Sequence, residues 1–162
     1  GQYQLSFQFL LMLSMFPIIL KMYLLPENAS GNSRKNVAMF GLILAVFLVI
    51  LTSLCAEWLL SSFFPNYLSV IDELKIMSIA LIPITVTSIY AAKSFGEERT
   101  RIVFLSSISF LVSMLLGIMI LGTSYGLTGL AISVVISFSA QAGVLLLPSK
   151  KIMAAEQTGK ND

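Results

Sequence analysis

Histidine is absent from the chain, and cysteine occurs once, as Cys55 within an apolar run. Histidine is the commonest metal ligand in proteins and the side chain that most often serves as a general base. A single cysteine rules out a disulfide within the chain. The sequence therefore predicts neither a metal nor a cofactor, and it argues against catalysis by acid–base chemistry.

Charged residues are scarce as well: they make up 11% of the sequence, whereas hydrophobic residues make up 57%. An ordinary soluble domain carries about 25% charged residues. A soluble fold of 162 residues leaves much of its chain exposed, and it has no means of covering so much apolar surface. The net charge of +2 is too small to indicate nucleic acid as a partner. We therefore predict an all-α integral membrane protein surrounded by membrane lipids.

The apolar residues fall into five runs, each near the length of about 20 residues that an α-helix needs to cross a membrane. The five predicted transmembrane helices cover residues 5–25, 37–56, 71–92, 102–121 and 127–147. Together they form one transmembrane domain over residues 1–148, followed by a polar cytoplasmic tail over residues 149–162.

Basic residues decide the predicted orientation, because cytoplasmic loops are enriched in lysine and arginine. Such residues occur in the connections 26–36 and 93–101 and in the tail, whereas the connections 57–70 and 122–126 have none. Five spans then place the N-terminus outside and the C-terminus in the cytoplasm. Because no signal segment precedes an outside N-terminus, we expect the chain to be the C-terminal part of a longer protein.

Small residues share one face on several predicted helices, and close packing of small residues is how helices associate in lipid. The predicted packing positions are Gly41 and Ala45 on the second helix, Ser109, Ser113 and Gly117 on the fourth, and Gly129 and Ser133 on the fifth. The short uncharged connection between the last two helices predicts an antiparallel hairpin along these faces. We interpret the faces as packing surfaces rather than binding sites.

The first helix carries a polar stripe: Ser14, Pro17 and Lys21 fall within one arc, and Gln8 lies on the neighbouring face. A proline in mid-span removes a backbone hydrogen bond, and membrane helices tolerate this where the freed carbonyl faces protein or water. One interpretation is that Lys21, Ser14 and Gln8 line an aqueous substrate cavity. The other is that Lys21 extends to the cytoplasmic headgroups. Pro17, and Pro83 in the third helix, are predicted kinks or hinges.

Enzyme motifs are missing from the sequence, which has no phosphate-binding loop, no dinucleotide fingerprint, no nucleophile elbow and no zinc spacing. The adjacent acidic pairs Asp72-Glu73 and Glu97-Glu98 point in different directions on a helix, and we interpret them as solvated surface charge. No carboxylate is expected deep within a span, which argues against an ion-coupling site in this chain. We therefore do not expect an enzyme.

Four features follow one another in a suggestive order. They are Pro17 with the basic loop after it, the segment Phe63-Phe64-Pro65-Asn66-Tyr67, the helix opening Ile71-Asp72-Glu73-Leu74-Lys75, and the turn Tyr125-Gly126-Leu127-Thr128-Gly129-Leu130-Ala131. In this order they resemble the C-terminal half of the polysaccharide flippases. These are the O-antigen and exopolysaccharide transporters of the multidrug/oligosaccharidyl-lipid/polysaccharide exporter superfamily. The resemblance runs from about Phe7 to Leu147.

The resemblance implies a transporter of about twelve to fourteen helices in two lobes around a cavity, of which this chain forms part of the second lobe. It implies movement of lipid-diphosphate-linked glycan units across the inner (cytoplasmic) membrane by alternating access, with glycan polymerase or assembly proteins as further partners. Lys21 is then a candidate to hold the anionic diphosphate. Arg99 and Arg101 are candidates to meet lipid headgroups at the cytoplasmic mouth.

Three other functions stay open. The first is a multidrug/cation antiporter of the same superfamily, against which the expected lack of an intramembrane carboxylate argues. The second is a membrane scaffold or interaction protein without transport, since five helices alone do not enclose a two-lobed cavity. The third is a membrane enzyme of glycan assembly, against which the missing histidine and carboxylate constellations argue.

Overall fold

The computed structural model describes residues 2–29, 35–63, 71–96 and 100–158. Within these ranges every residue is helical except Ala80, in a turn, and Gly126, at a kink, so the described part of the chain contains no strand. The predicted all-α class is therefore confirmed.

Six α-helices and one short π-helical turn make up the described structure. In chain order they are α1 (Gln2–Ala29), α2 (Lys35–Phe63), α3 (Ile71–Ile79), α4 (Leu81–Gly96), α5 (Thr100–Gly117), the π-helical turn (Ile118–Gly122) and α6 (Thr123–Thr158).

Four helical stretches are long and apolar enough to cross a membrane: Ser6–Pro26, Asn36–Ser62, Ile71–Gly96 and Thr100–Leu147. The last is 48 residues long, about twice what a single crossing needs. Large apolar side chains point outward along much of this surface; Leu54, for example, is 76% exposed. A surface of this kind suits lipid far better than water.

The fourth stretch folds back on itself at Gly126, whose backbone angles of φ 57° and ψ −129° are not helical. The contacts across the fold run in opposite directions along the chain: Phe110 packs on Phe138 with ring centroids 4.7 Å apart, and Gly117 lies against Ser133. The predicted antiparallel hairpin of the last two helices is thus confirmed. Glycine suits the turn, because a side chain strains a backbone of positive φ.

The predicted third helix, residues 71–92, differs from the structure in having a break. A turn at Ala80 separates α3 from α4, and the second part continues to Gly96. Pro83 explains the position of the break. Its ring displaces the carbonyl of Ile79, four residues earlier, and proline has no N–H to donate to that carbonyl. Around the break the N–H of Ala80 donates to the carbonyl of Met77, and the N–H of Ile84 donates to the carbonyl of Ala80, both at 3.0 Å.

Other helix bounds are wider than predicted. α1 runs through both Pro17 and Pro26 to Ala29, although the sequence predicts its end at residue 25. α6 continues through the polar tail to Thr158 rather than ending at residue 147. Lysine, alanine, methionine and glutamate dominate that extension, and these residues have high intrinsic helix propensity.

The core lies between three helical rods that run in the same direction: α1, the broken rod α3–α4, and α6. Leu10 of α1, Met77 of α3 and Ala131 of α6 belong to one cluster of contacting residues, and further along the first two rods Leu20 and Leu24 form a cluster with Ala92. Thr128 of α6 contacts Glu73, so along all three rods the residue numbers rise in the same direction and the rods are parallel. α2 and α5 cover this layer from outside.

Candidate functional site

The structure separates the residues predicted to line a cavity on α1. Pro17 is fully buried and Ser14 is half-buried, with its hydroxyl donating to the carbonyl of Leu11 at 2.7 Å. Lys21 is half-buried, whereas Gln8 is exposed. Lys21 and Pro17 thus face the rest of the bundle, and Gln8 does not lie with them.

Lys21 lies at the contact between α1 and α4. Its Nζ is 5.2 Å from the ring centroid of Phe95, close enough for a cation–π interaction. Such a contact contributes about 0.5–1 kcal/mol at an exposed site. The interaction orients the ammonium group without neutralising its charge, so Lys21 stays able to attract an anion at this end of the bundle.

The two predicted hinges behave differently. α1 is helical on both sides of Pro17, whose side chain is packed inside the protein. Pro83 is half-buried and follows the break at Ala80. Of the two prolines, Pro83 is therefore the one associated with an interruption of its helix.

The two arginines predicted to meet headgroups lie at the start of α5. Arg99 falls outside the described residues. Arg101 is exposed and, together with Thr100, Phe104 and Leu105, lines an open depression on the surface of α5. Its guanidinium group lies beside two exposed apolar side chains.

The predicted packing positions on α2 and α5 lie at or near contacts. A Cβ atom on Gly41 would meet the side chain of Leu20 on α1, and Ala45 is fully buried. Ser109 and Ser113 are half-buried along α5.

Closer approaches occur within the hairpin. A Cβ atom on Gly117 would lie 2.8 Å from the Cβ of Ser133, and one on Gly129 would meet the backbone carbonyl of Leu121. The buried hydroxyls of Ser133 and Ser137 donate to their own helix, to the carbonyls of Gly129 and Ser133. The α5–α6 contact therefore depends mainly on close packing of small residues.

Sequence reasoning missed one site residue, Glu73. The expectation of a solvated acidic pair holds for Asp72, which is exposed, but it is wrong for Glu73, which is only 8% exposed. Thr128 of α6 donates a hydrogen bond to its Oε1 atom at 3.2 Å. The available signal was position: Glu73 precedes Met77 by four residues, so both lie on the face of α3 that enters the core.

The nearby lysine of α3 has a different partner. Lys75 donates to Glu57 of α2 at 3.0 Å, and both side chains are partly exposed. Residues two apart on a helix do not face each other, so this ion pair points away from Glu73. In the described part of the chain no group of three or more histidine, cysteine, aspartate or glutamate residues is placed to hold a metal ion.

Comparison with known proteins adds no relative: no protein-family model, no curated protein and no solved structure matches the chain.

Proposed function

We propose that the chain is part of a multi-pass transporter of the inner membrane that moves lipid-linked oligosaccharide or polysaccharide units by alternating access. The observation that carries the proposal is the packing of the two proline-bearing rods, α1 and α3–α4, against each other, with Lys21 of α1 held against Phe95 of α4. Interrupted helices are elements from which transporters build binding sites.

The proposed topology has five spans, with the N-terminus outside. The fold at Gly126 divides the 48-residue stretch into two antiparallel crossings. The ends carrying Lys21 and Arg101 then lie together on the cytoplasmic side, while Glu57 and Asp72 lie on the outer side. Such a distribution satisfies the positive-inside rule.

In this proposal the five spans form part of the second of two lobes. The other lobe completes the cavity, and membrane lipids surround both. The lipid-diphosphate group of the substrate approaches Lys21, while Arg101 contacts headgroups at the rim. Glycan polymerase and assembly proteins act before or after the transport step.

A complementation experiment tests the proposal. The full-length gene is expressed in a cell that lacks its own polysaccharide flippase, and surface glycan is measured. We expect wild-type protein to restore the glycan, and Lys21→Ala to reduce it by about tenfold or more, the effect of losing one charge-assisted contact of about 1.5–3 kcal/mol.

Lys75→Ala is the matched control, because it removes a lysine from the opposite end of the bundle. It should export like wild type, with both variants present in the membrane in equal amounts. Normal export by Lys21→Ala would remove Lys21 from the substrate path. The cells are supplied with the lipid-linked glycan of the strain from which the chain comes. If the wild-type protein exports none of this glycan, the flippase function is rejected.

A second candidate is a multidrug/cation antiporter of the same superfamily. The sequence argument against it was the lack of a carboxylate deep within a span. Glu73 lies in the first turn of its span, but its side chain is buried in the core, which gives the antiporter one candidate carboxylate. Resistance of the same cells to cationic drugs, lost when Glu73→Gln is introduced, would favour the antiporter over the flippase.

A further inference from the structure

Three polar side chains from three different helices occupy the outer end of the core: Ser6 of α1, Glu73 of α3 and Thr128 of α6. Ser6 is completely buried, and its hydroxyl has no hydrogen-bond partner. Glu73 accepts a hydrogen bond from Thr128 at Oε1, while its second oxygen, Oε2, is buried and has no partner.

The packing beneath them places the three side chains at one level. Leu10, Met77 and Ala131 belong to one cluster of contacting residues, one from each parallel rod. Ser6, Glu73 and Thr128 each precede their cluster residue by three or four positions, which is one helical turn on the same side. The three polar groups therefore lie one turn further out, around the same central line.

In the described part of the chain the hydroxyl of Ser6, like that of Thr87 on α4, is buried without a hydrogen-bond partner. A hydroxyl in a membrane helix normally donates to a carbonyl one turn earlier in its own helix. Thr85, Ser106 and Ser133 all do so, at 2.7–2.8 Å. The free hydroxyl of Ser6 is thus available to a ligand between the helices.

Among the described residues, no basic side chain pairs with Glu73. Among the described side chains at this end, Asp72, Glu57 and Tyr125 are exposed, and Lys75 is engaged with Glu57. α1 has no charged residue before Lys21, and α4 has none before Lys93. A buried carboxylate without a compensating charge is costly, so such groups in membrane proteins bind a proton or a cation.

We propose that Glu73, Ser6 and Thr128 form a site for a small hard metal cation, a sodium ion, bound on the free carboxylate oxygen. Hydroxyl and carboxylate oxygens are the ligands that hard cations prefer. The occupied site joins α1, α3 and α6 at their outer ends. The proposal goes beyond the transport function, because cation binding is measured on the protein without any transported substrate.

Thermal stability of the full 162-residue chain in detergent tests the site. The melting temperature is measured in sodium chloride and in choline chloride of equal ionic strength, from pH 5 to pH 8. A ligand that binds only the folded protein raises the melting temperature by mass action. We expect sodium, at about 100 times its dissociation constant, to raise the melting temperature by roughly 5 °C or more.

The variants identify the group responsible. Glu73→Gln should abolish the increase, whereas Asp72→Asn, which alters the exposed neighbouring carboxylate, should keep it.

Two results would overturn the proposal: a wild-type protein whose melting temperature does not respond to sodium, or a Glu73→Gln variant that responds as wild type does. If Glu73→Gln yields no folded protein, Ser6→Ala replaces it. The half-saturating sodium concentration should then rise by about tenfold, since one oxygen ligand is lost. An unchanged half-saturating concentration in Ser6→Ala also overturns the proposal.

Discussion

Replacing Gly129 by alanine tests how closely the two arms of the α5–α6 hairpin approach each other. A Cβ atom at this position meets the backbone carbonyl of Leu121, with the carbonyl carbon 2.5 Å away and the Cβ of Tyr125 at 3.1 Å. A flexible side chain would rotate away from such a contact. A backbone carbonyl does not, so the added methyl group has to push one arm of the hairpin outward.

The expected change is the difference between two opposing terms. Alanine is better than glycine inside a helix by about 0.5–1 kcal/mol. Overpacking a close contact costs about 1–3 kcal/mol, and the rigid backbone at Leu121 places Gly129→Ala near the upper end of that range. The net loss of about 2 kcal/mol corresponds to a melting temperature lower by roughly 4–8 °C in a chain of this size.

The assay is the fraction of detergent-solubilised protein that stays monodisperse after heating, measured by size-exclusion chromatography. Gly143→Ala provides the control, because Gly143 lies in the same helix and a Cβ atom there meets nothing within 4 Å. It should melt at or slightly above the wild-type temperature. Equal melting temperatures for the two variants would refute the close approach of the hairpin arms.

Three further predictions use the same preparation or its membranes. Gly126→Ala should lower the melting temperature by several degrees, because φ 57° with ψ −129° is a conformation nearly restricted to glycine and such strain costs about 1–3 kcal/mol. Lys75→Met should change the free energy of unfolding by less than about 1 kcal/mol in denaturant titrations, because its ion pair is partly exposed. In a Cys55→Ser background, Trp58→Cys should react with an impermeant thiol reagent from outside the cell, and Thr100→Cys only after the membrane is opened. Labelling of both from one side would reject the proposed topology.

The helical class and the apolar stretches were predictable, because composition and run length alone require them. The hairpin was predictable too: a short uncharged connection holding Gly126, flanked by small residues, has few other ways to pack. The neighbourhood of the break in the third helix was indicated by Pro83. Its actual position at Ala80 follows from the reach of the proline ring toward the preceding turn.

The burial of Glu73 was not predicted from its local sequence. Asp72 and Glu73 look alike in the sequence, and only the direction of α3 within the bundle makes one exposed and the other buried. The contact of Lys21 with Phe95 was not predictable either. It joins α1 to α4, and no local sequence pattern shows at which level two helices meet. Both features depend on how the parallel helices pack side by side, and this packing is set by the tertiary fold rather than by any one segment of the sequence.

The hydrogen bond between Glu73 and Thr128 also has a consequence for the order of assembly. These partners are separated by 55 residues, so the ribosome needs roughly 3–11 s to make the second after the first. During that interval α3 resides in the bilayer while its partner on α6 is still missing. The hairpin, by contrast, joins residues close in sequence and closes soon after its second arm is made. Assembly of the bundle therefore ends with α6 docking between partners that were inserted long before it.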